Sequence, residues 1–182
     1  MSVYDLKTKK ASAYGQTRSF ALIGGQLDII INRILKNDNL VKLLKYPTRD
    51  ALTREVEQET RMSLIKDNHL TLVPFIPKEE EIKTYLIITF DNFVPTKTTQ
   101  RAMDYVMTFD IVCHRELWTM NGSCPRPYLI MDELMKEFNM TKVDTWGAMK
   151  FQGATSLIMN ENFMGFTMMF DLSAIATTTG EE

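Results

Sequence analysis

The stretch Asp104–Trp118, DYVMTFDIVCHRELW, places a carboxylate (Asp110), a thiol (Cys113) and an imidazole (His114) within five positions. These residue types bind divalent metals or form a nucleophile–base pair. Their spacing argues against both. The run is rich in β-branched and aromatic residues and reads as a strand, in which successive side chains point to opposite faces. Tyr105, Met107, Phe109, Ile111 and Cys113 then share one wholly apolar face. Asp104, Val106, Thr108, Asp110, Val112 and His114 share the other. One ion cannot readily collect Cys113 with Asp110 or His114, and the same geometry keeps His114 from serving a Cys113 nucleophile. The chain has two cysteines and two histidines, and neither pair has zinc-finger spacing. Cys113 is expected to be a buried structural residue, since free cysteine behaves as a small hydrophobe.

One pattern survives. ITFDNF, MTFDIV and MMFDLS place Phe-Asp in three predicted strands, at Phe90-Asp91, Phe109-Asp110 and Phe170-Asp171. The phenylalanines are expected in the core and the aspartates on the opposite face, gathered by adjacent strands into an acidic patch. A carboxylate trio of this kind could bind Mg²⁺ or Ca²⁺, which would make a small metal-dependent enzyme the alternative reading. The plainer expectation is a wet or channel-facing surface, with no metal, no cofactor and no catalytic residue assigned. Trp118, in the loop after the strand, is a candidate anchor for a partner, with Met120 and Tyr4, because tryptophan is enriched at interface hot spots. A lid over the core edge is the other reading of Trp118.

The remaining signals carry less. GGQ at Gly24–Gln26 matches the tripeptide of peptide-release factors, but an apolar amphipathic run follows directly, so a helix start is the reading. Walker A, G-x-G-x-x-G, H-E-x-x-H and G-x-S-x-G motifs are all absent from the sequence. Glu79–Glu81 reads as a solvated approach to a strand. The 21 basic and 23 acidic residues leave a net charge of −2, so no broad basic field favours nucleic acid or an anionic membrane. No apolar run is long enough to span a bilayer. Residues 1–16 have no apolar stretch of the signal-peptide kind, and the sparse cysteines suit a reducing cytoplasm. Methionine is abundant, with 13 residues, and suits adaptable contact surfaces.

The elements that must position these residues follow from periodicity. Residues 1–19 lack a sustained period and read as a flexible N-terminal arm. A single α+β domain is expected over 20–176, with a helical part at 20–67, a sheet-plus-helix part at 70–176, and a frayed tail at 177–182. Leu27, Ile30, Ile31, Ile34 and Leu35 recur at helical spacing, and Asn37-Asp38-Asn39 interrupts them. Leu40, Leu43 and Leu44 build a second short helix that Pro47 ends. The charge-dense 48–67 reads as a partly exposed helix. LTLVPFIP, with Pro74 and Pro77, suits an edge or the entry to a sheet. Lys83–Pro95 and Met103–His114 read as strands joined by the polar loop TKTTQR. RPYLIMDELMKEFN reads as a helix with Pro127 near its start and Ile130, Leu134 and Phe138 on its apolar face. AMKFQGATSLIM and FMGFTMMFDLSAI flank NEN as a hairpin. The order is helices, then β-β-α-β-β, which predicts a mainly antiparallel sheet packed against helices.

FDIVCHRELW, RPYLIMDELMKEFN and NENFMGFTMMF together resemble the tail-terminator and tail-completion proteins of long-tailed bacteriophages and their neck relatives. The resemblance spans roughly residues 70–175. It implies a homo-oligomeric ring, usually a hexamer, that ends the tail tube and joins it to the head. The implied partners are copies of itself, the tail tube and neck or head-completion proteins. DNA would be met only as the genome passing through the lumen, and no membrane is involved. The resemblance implies a virion component assembled in the host bacterial cytoplasm, with no catalysis. A head-completion adaptor or another tail subunit is the nearest alternative.

Overall fold

In the computed structural model, residues 21–95, 103–122, 124–143 and 146–174 are described. The arm, the tail and the loop TKTTQR therefore lie outside the described residues, as does Tyr4. Helix α1 (Ala21–Lys36) carries the expected stripe, with Ile30 and Ile34 fully buried. Helix α2 (Asp38–Lys45) follows after a single residue. Asn37 makes that sharp junction possible: its side-chain oxygen accepts the Leu40 N–H at 3.1 Å, an N-cap that stops one helix and starts the next. At its far end Tyr46, which precedes Pro47, is extended, as the proline ring requires.

Residues 48–67 differ from the expectation of one helix. A 3-10 turn (Ala51–Thr53) is followed by extended residues, and helix α3 (Gln58–Lys66) occupies only the second half. Of α3, Leu64 alone is buried, so too few apolar contacts exist to hold a longer helix against the domain.

Strand β1 is only Leu70–Thr71, and the rest of LTLVPFIP is an extended connection. Strands β2 (Thr84–Pro95) and β3 (Met103–His114) lie where alternation places them. Helix α4 (Arg126–Phe138) comes next. A short hairpin of β4 (Lys142–Val143) and β5 (Trp146–Ala148) then precedes β6 (Lys150–Ile158) and β7 (Phe163–Ala174). Sequence periodicity misses the β4–β5 hairpin because strands this short show no alternation. The five-stranded sheet runs β1-β2-β3-β7-β6, antiparallel throughout except for β1, which pairs parallel with β2. The fold is α+β, with the helical region first and one long helix between the two strand pairs.

The helices cover one face of the sheet. Tyr105, Met107, Phe109, Ile111 and Cys113 of β3 are all buried there, as alternation requires. Phe109 stacks on Phe138 of α4 at 5.2 Å and meets Phe170 of β7 edge-on at 5.6 Å. A smaller cluster on the opposite face joins Tyr85, Ile87, Val112 and Phe163 beneath Phe75 of the β1–β2 connection. Two motif residues explain themselves here. Asn160 turns the NEN corner by accepting the N–H groups of Asn162 and Phe163, and its amide donates to the Pro77 carbonyl. Gly165 lies where β7 crowds β3: a Cβ there would fall 1.7 Å from the Ile111 carbonyl oxygen.

Candidate functional site

The face of the sheet away from the helices carries the acidic residues. All three Phe-Asp pairs have the expected polarity. Phe109 and Phe170 are fully buried, Phe90 packs against the same core, and the aspartates point the other way. Register decides how they are spaced. Val106 of β3 faces Asp91 of β2 on one side and Asp171 of β7 on the other. These two carboxylates are therefore two strand spacings apart, roughly 10 Å. Asp110 lies four residues further along β3, roughly 13 Å away at the rise of a strand. The three aspartates share a face without converging, so the expected single patch does not form. A shared Mg²⁺ or Ca²⁺ would need them within one coordination sphere. Among the described residues no three His, Cys, Asp or Glu side chains group around a metal-sized space.

Each aspartate also has its own local partner or setting. Asp110 accepts a hydrogen bond from the Thr167 hydroxyl at 2.5 Å and is half-buried. Asp91 accepts the N–H of Asn92 at 2.7 Å, where β2 bulges and Asn92 takes a left-handed φ of 54°. Asp171 is exposed, with Lys150 opposite it on β6. The acid that joins Asp171 is Asp104. Both line a shallow open depression of about 250 Å³, with Asn92, Val94 and Val106. Alternation already put Asp104 on this face. Only the β3–β7 register, which sets it diagonal to Asp171, makes it a member of the site.

The opening trio separates as its spacing requires. Cys113 is fully buried on the helix side, and burial pushes its thiol up to about 12, far from a reactive thiolate. His114 is buried on the other side, where its ring meets Phe163 edge-on at 5.1 Å and its Nδ1 accepts the Glu116 N–H. It caps the 3-10 turn Arg115–Leu117. Trp118 is half-buried against the core and lies 6.4 Å from the Phe166 ring, which also meets Tyr128. Met120 is a correction to the expected interface: it is 4% exposed and belongs to the core. GGQ lies inside α1, which already begins at Ala21, so it does not start the helix as expected; its Gln26 is buried and accepts a hydrogen bond from the Tyr105 hydroxyl.

Two features escaped sequence reading. Arg126 is fully buried and donates to four backbone carbonyls, a role its position at a predicted helix start did not suggest. Large apolar side chains stand in solvent along the β1–β2 connection, at Leu72, Val73, Ile76 and Ile82. The sequence signal was present in that Pro74 and Pro77 bar this apolar run from a central strand. Among the described residues no helix is long and apolar enough to cross a membrane.

No curated protein matches the chain. The family model YomW matches residues 37–172, from the Asn37 cap at the start of α2 into β7. That span takes in α2 to α4 and the sheet except the last two residues of β7, and with it every residue of the acidic face, so the chain belongs to the YomW family.

Proposed function

We propose that this protein is a structural subunit that works through its surfaces, assembling as a ring at the head-proximal end of a phage tail. The observation that carries this reading is the apolar connection between β1 and β2. Val73 is 68% exposed and Ile76 75%, with Leu72 and Ile82 also in solvent. Apolar side chains concentrated in one exposed segment mark a contact with another protein. The motif resemblance supplies the kind of assembly, a head-to-tail ring of the sort that closes by rotation. In such a ring the face bearing Asp91, Asp104 and Asp171 would line the lumen, where carboxylates let DNA slide while lysine or arginine would hold phosphates. A head-completion adaptor is the nearest variant of the same reading.

Two measurements test it. Light scattering and negative-stain imaging of the full chain should show rings, and Val73→Asp with Ile76→Asp should dissolve them without unfolding the subunit. Particles assembled without the protein should carry tails of uncontrolled length that fail to join heads. A chain that stays monomeric at every concentration, together with normal particles in its absence, would overturn the reading.

A further inference from the structure

We infer that the outer edge of β6 is a self-pairing surface, on which two copies of this chain join their sheets across a two-fold axis at Ser156. The inference stands apart from the ring reading, since neighbours in a head-to-tail ring share no two-fold contact. It would join two subunits, or two rings face to face.

Strand β6 is the last in the sheet order, so among the described residues only β7 pairs with it. The backbone on its far side can be read from register. Met159 donates its N–H to the Phe163 carbonyl, which directs Met159 toward β7. Groups alternate along an antiparallel strand, so Leu157 and Thr155 also point to β7, while Ile158, Ser156 and Ala154 point outward. These outward N–H and C=O groups are a template for another strand.

Protected edges carry charge, proline or a bulge at the exposed positions. The part of β2 beyond its pairing with β1, at the other side of the sheet, has such devices: Asp91, the bulge at Asn92 and Pro95. The β6 edge has none over its outer half. From Phe151 to Met159 no residue is charged or proline, and the one bulge lies at its start, between Phe151 and Gly153. Ile158 is 77% exposed there.

The occupant follows from the pattern of sizes and charges. A two-fold axis through Ser156 sets Ala154 of each copy opposite Ile158 of the other, small against large, and places the two serine hydroxyls side by side. All three are outward-pointing positions, so their backbones can exchange hydrogen bonds. The same symmetry brings Lys150, at the start of β6, toward Glu161 of the second copy, in the turn beyond its β6. Opposite charges then meet at both ends, and no like charges oppose one another between them. An edge that is complementary to itself in size, hydrogen bonding and charge fits a second copy of this chain.

The test uses the full chain carrying Cys124→Ser, because Cys124 is an exposed thiol. Ser156→Cys added to it should form an intermolecular disulfide under mild oxidation, since directly paired strand residues lie about 5.5 Å apart between Cα atoms, within disulfide range. Ile158→Lys and, separately, Ser156→Pro should each raise the dimer dissociation constant at least tenfold in sedimentation equilibrium. Ser156→Pro removes an N–H that β7 does not use. Ile158→Lys changes a solvent-facing side chain and keeps the test valid should the proline variant unfold. Absence of the disulfide, or an oligomer that Ile158→Lys leaves equally tight, would overturn the pairing and assign assembly to another surface. Pairing of β6 with a segment of its own chain would show as an intramolecular block, a monomer in which the thiol introduced by Ser156→Cys resists oxidation and alkylation, and would overturn it too.

Discussion

The guanidinium of Arg126 donates to the Leu43 carbonyl at 2.5 Å, and among the described residues its hydrogen bonds go to four backbone carbonyls and to no carboxylate. Leu43 is in the last turn of α2, where carbonyls lack helical partners and the helix dipole is negative. The same side chain reaches the Tyr46 and Thr48 carbonyls just after α2 and the Leu117 carbonyl of the 3-10 turn before α4, so one cation ties the end of α2 to the start of α4. Arg126→Ala should cost about 3–5 kcal/mol, because it strands buried carbonyls as well as losing charged hydrogen bonds. Arg126→Lys should recover only part of this, since an ammonium cannot span the carbonyls a planar fork reaches. Denaturant titration of both variants is the check, and a loss under about 1 kcal/mol for alanine would refute the role.

Phe109 meets Phe138 and Phe170 at the centre of the core. Phe109→Ala should lower stability by about 3–5 kcal/mol, the range for a buried aromatic. The same titration measures it.

Gly165 has no room for a methyl group against the Ile111 carbonyl. Gly165→Ala should force β7 away from β3 and cost about 3 kcal/mol, at the upper end of overpacking effects, because backbone rather than a side-chain tip must move. Hydrogen exchange should show the β3–β7 amides losing protection first. Unchanged protection would mean the strands adjust without loss.

His69 is buried, with its Nδ1 2.9 Å from the Thr84 carbonyl, and burial holds its pKa below the ordinary value of 6.5. The unfolded chain therefore takes up a proton at a higher pH than the folded one. Stability from this residue is complete above about pH 6.5 and declines as pH falls from there toward the folded value. His69→Gln should flatten that part of the stability profile. Melting temperatures of both proteins between pH 7.5 and 5 would show it, and parallel profiles would exclude His69 as the cause.

The acidic face gives a prediction tied to the ring. Asp91→Lys with Asp171→Lys should leave the fold intact, since neither carboxylate is buried, and should slow genome ejection most at low salt. Equal ejection rates at two ionic strengths would remove this face from the lumen.

Alternation alone determined which side of β3 each residue takes. Tyr105 to Cys113 needed only the two-residue period of a strand to be assigned to the core, and Asp91, Asp110 and Asp171 to the opposite face. The helix faces of α1, α2 and α4 were equally legible, because burial of one stripe is a local demand that periodicity records. What periodicity does not record is register. Whether Asp110 or Asp104 stands beside Asp171 depends on how β3 slides against β7, and packing across the whole sheet settles that. Met120 looked like a loop residue beside Trp118, and only the folded loop turns it inward. Arg126 was still less legible, since its four acceptors are carbonyls of Leu43, Tyr46, Thr48 and Leu117. Every residue carries a carbonyl, so sequence gives no sign of which ones a buried cation will find; the tertiary fold alone brings them to it.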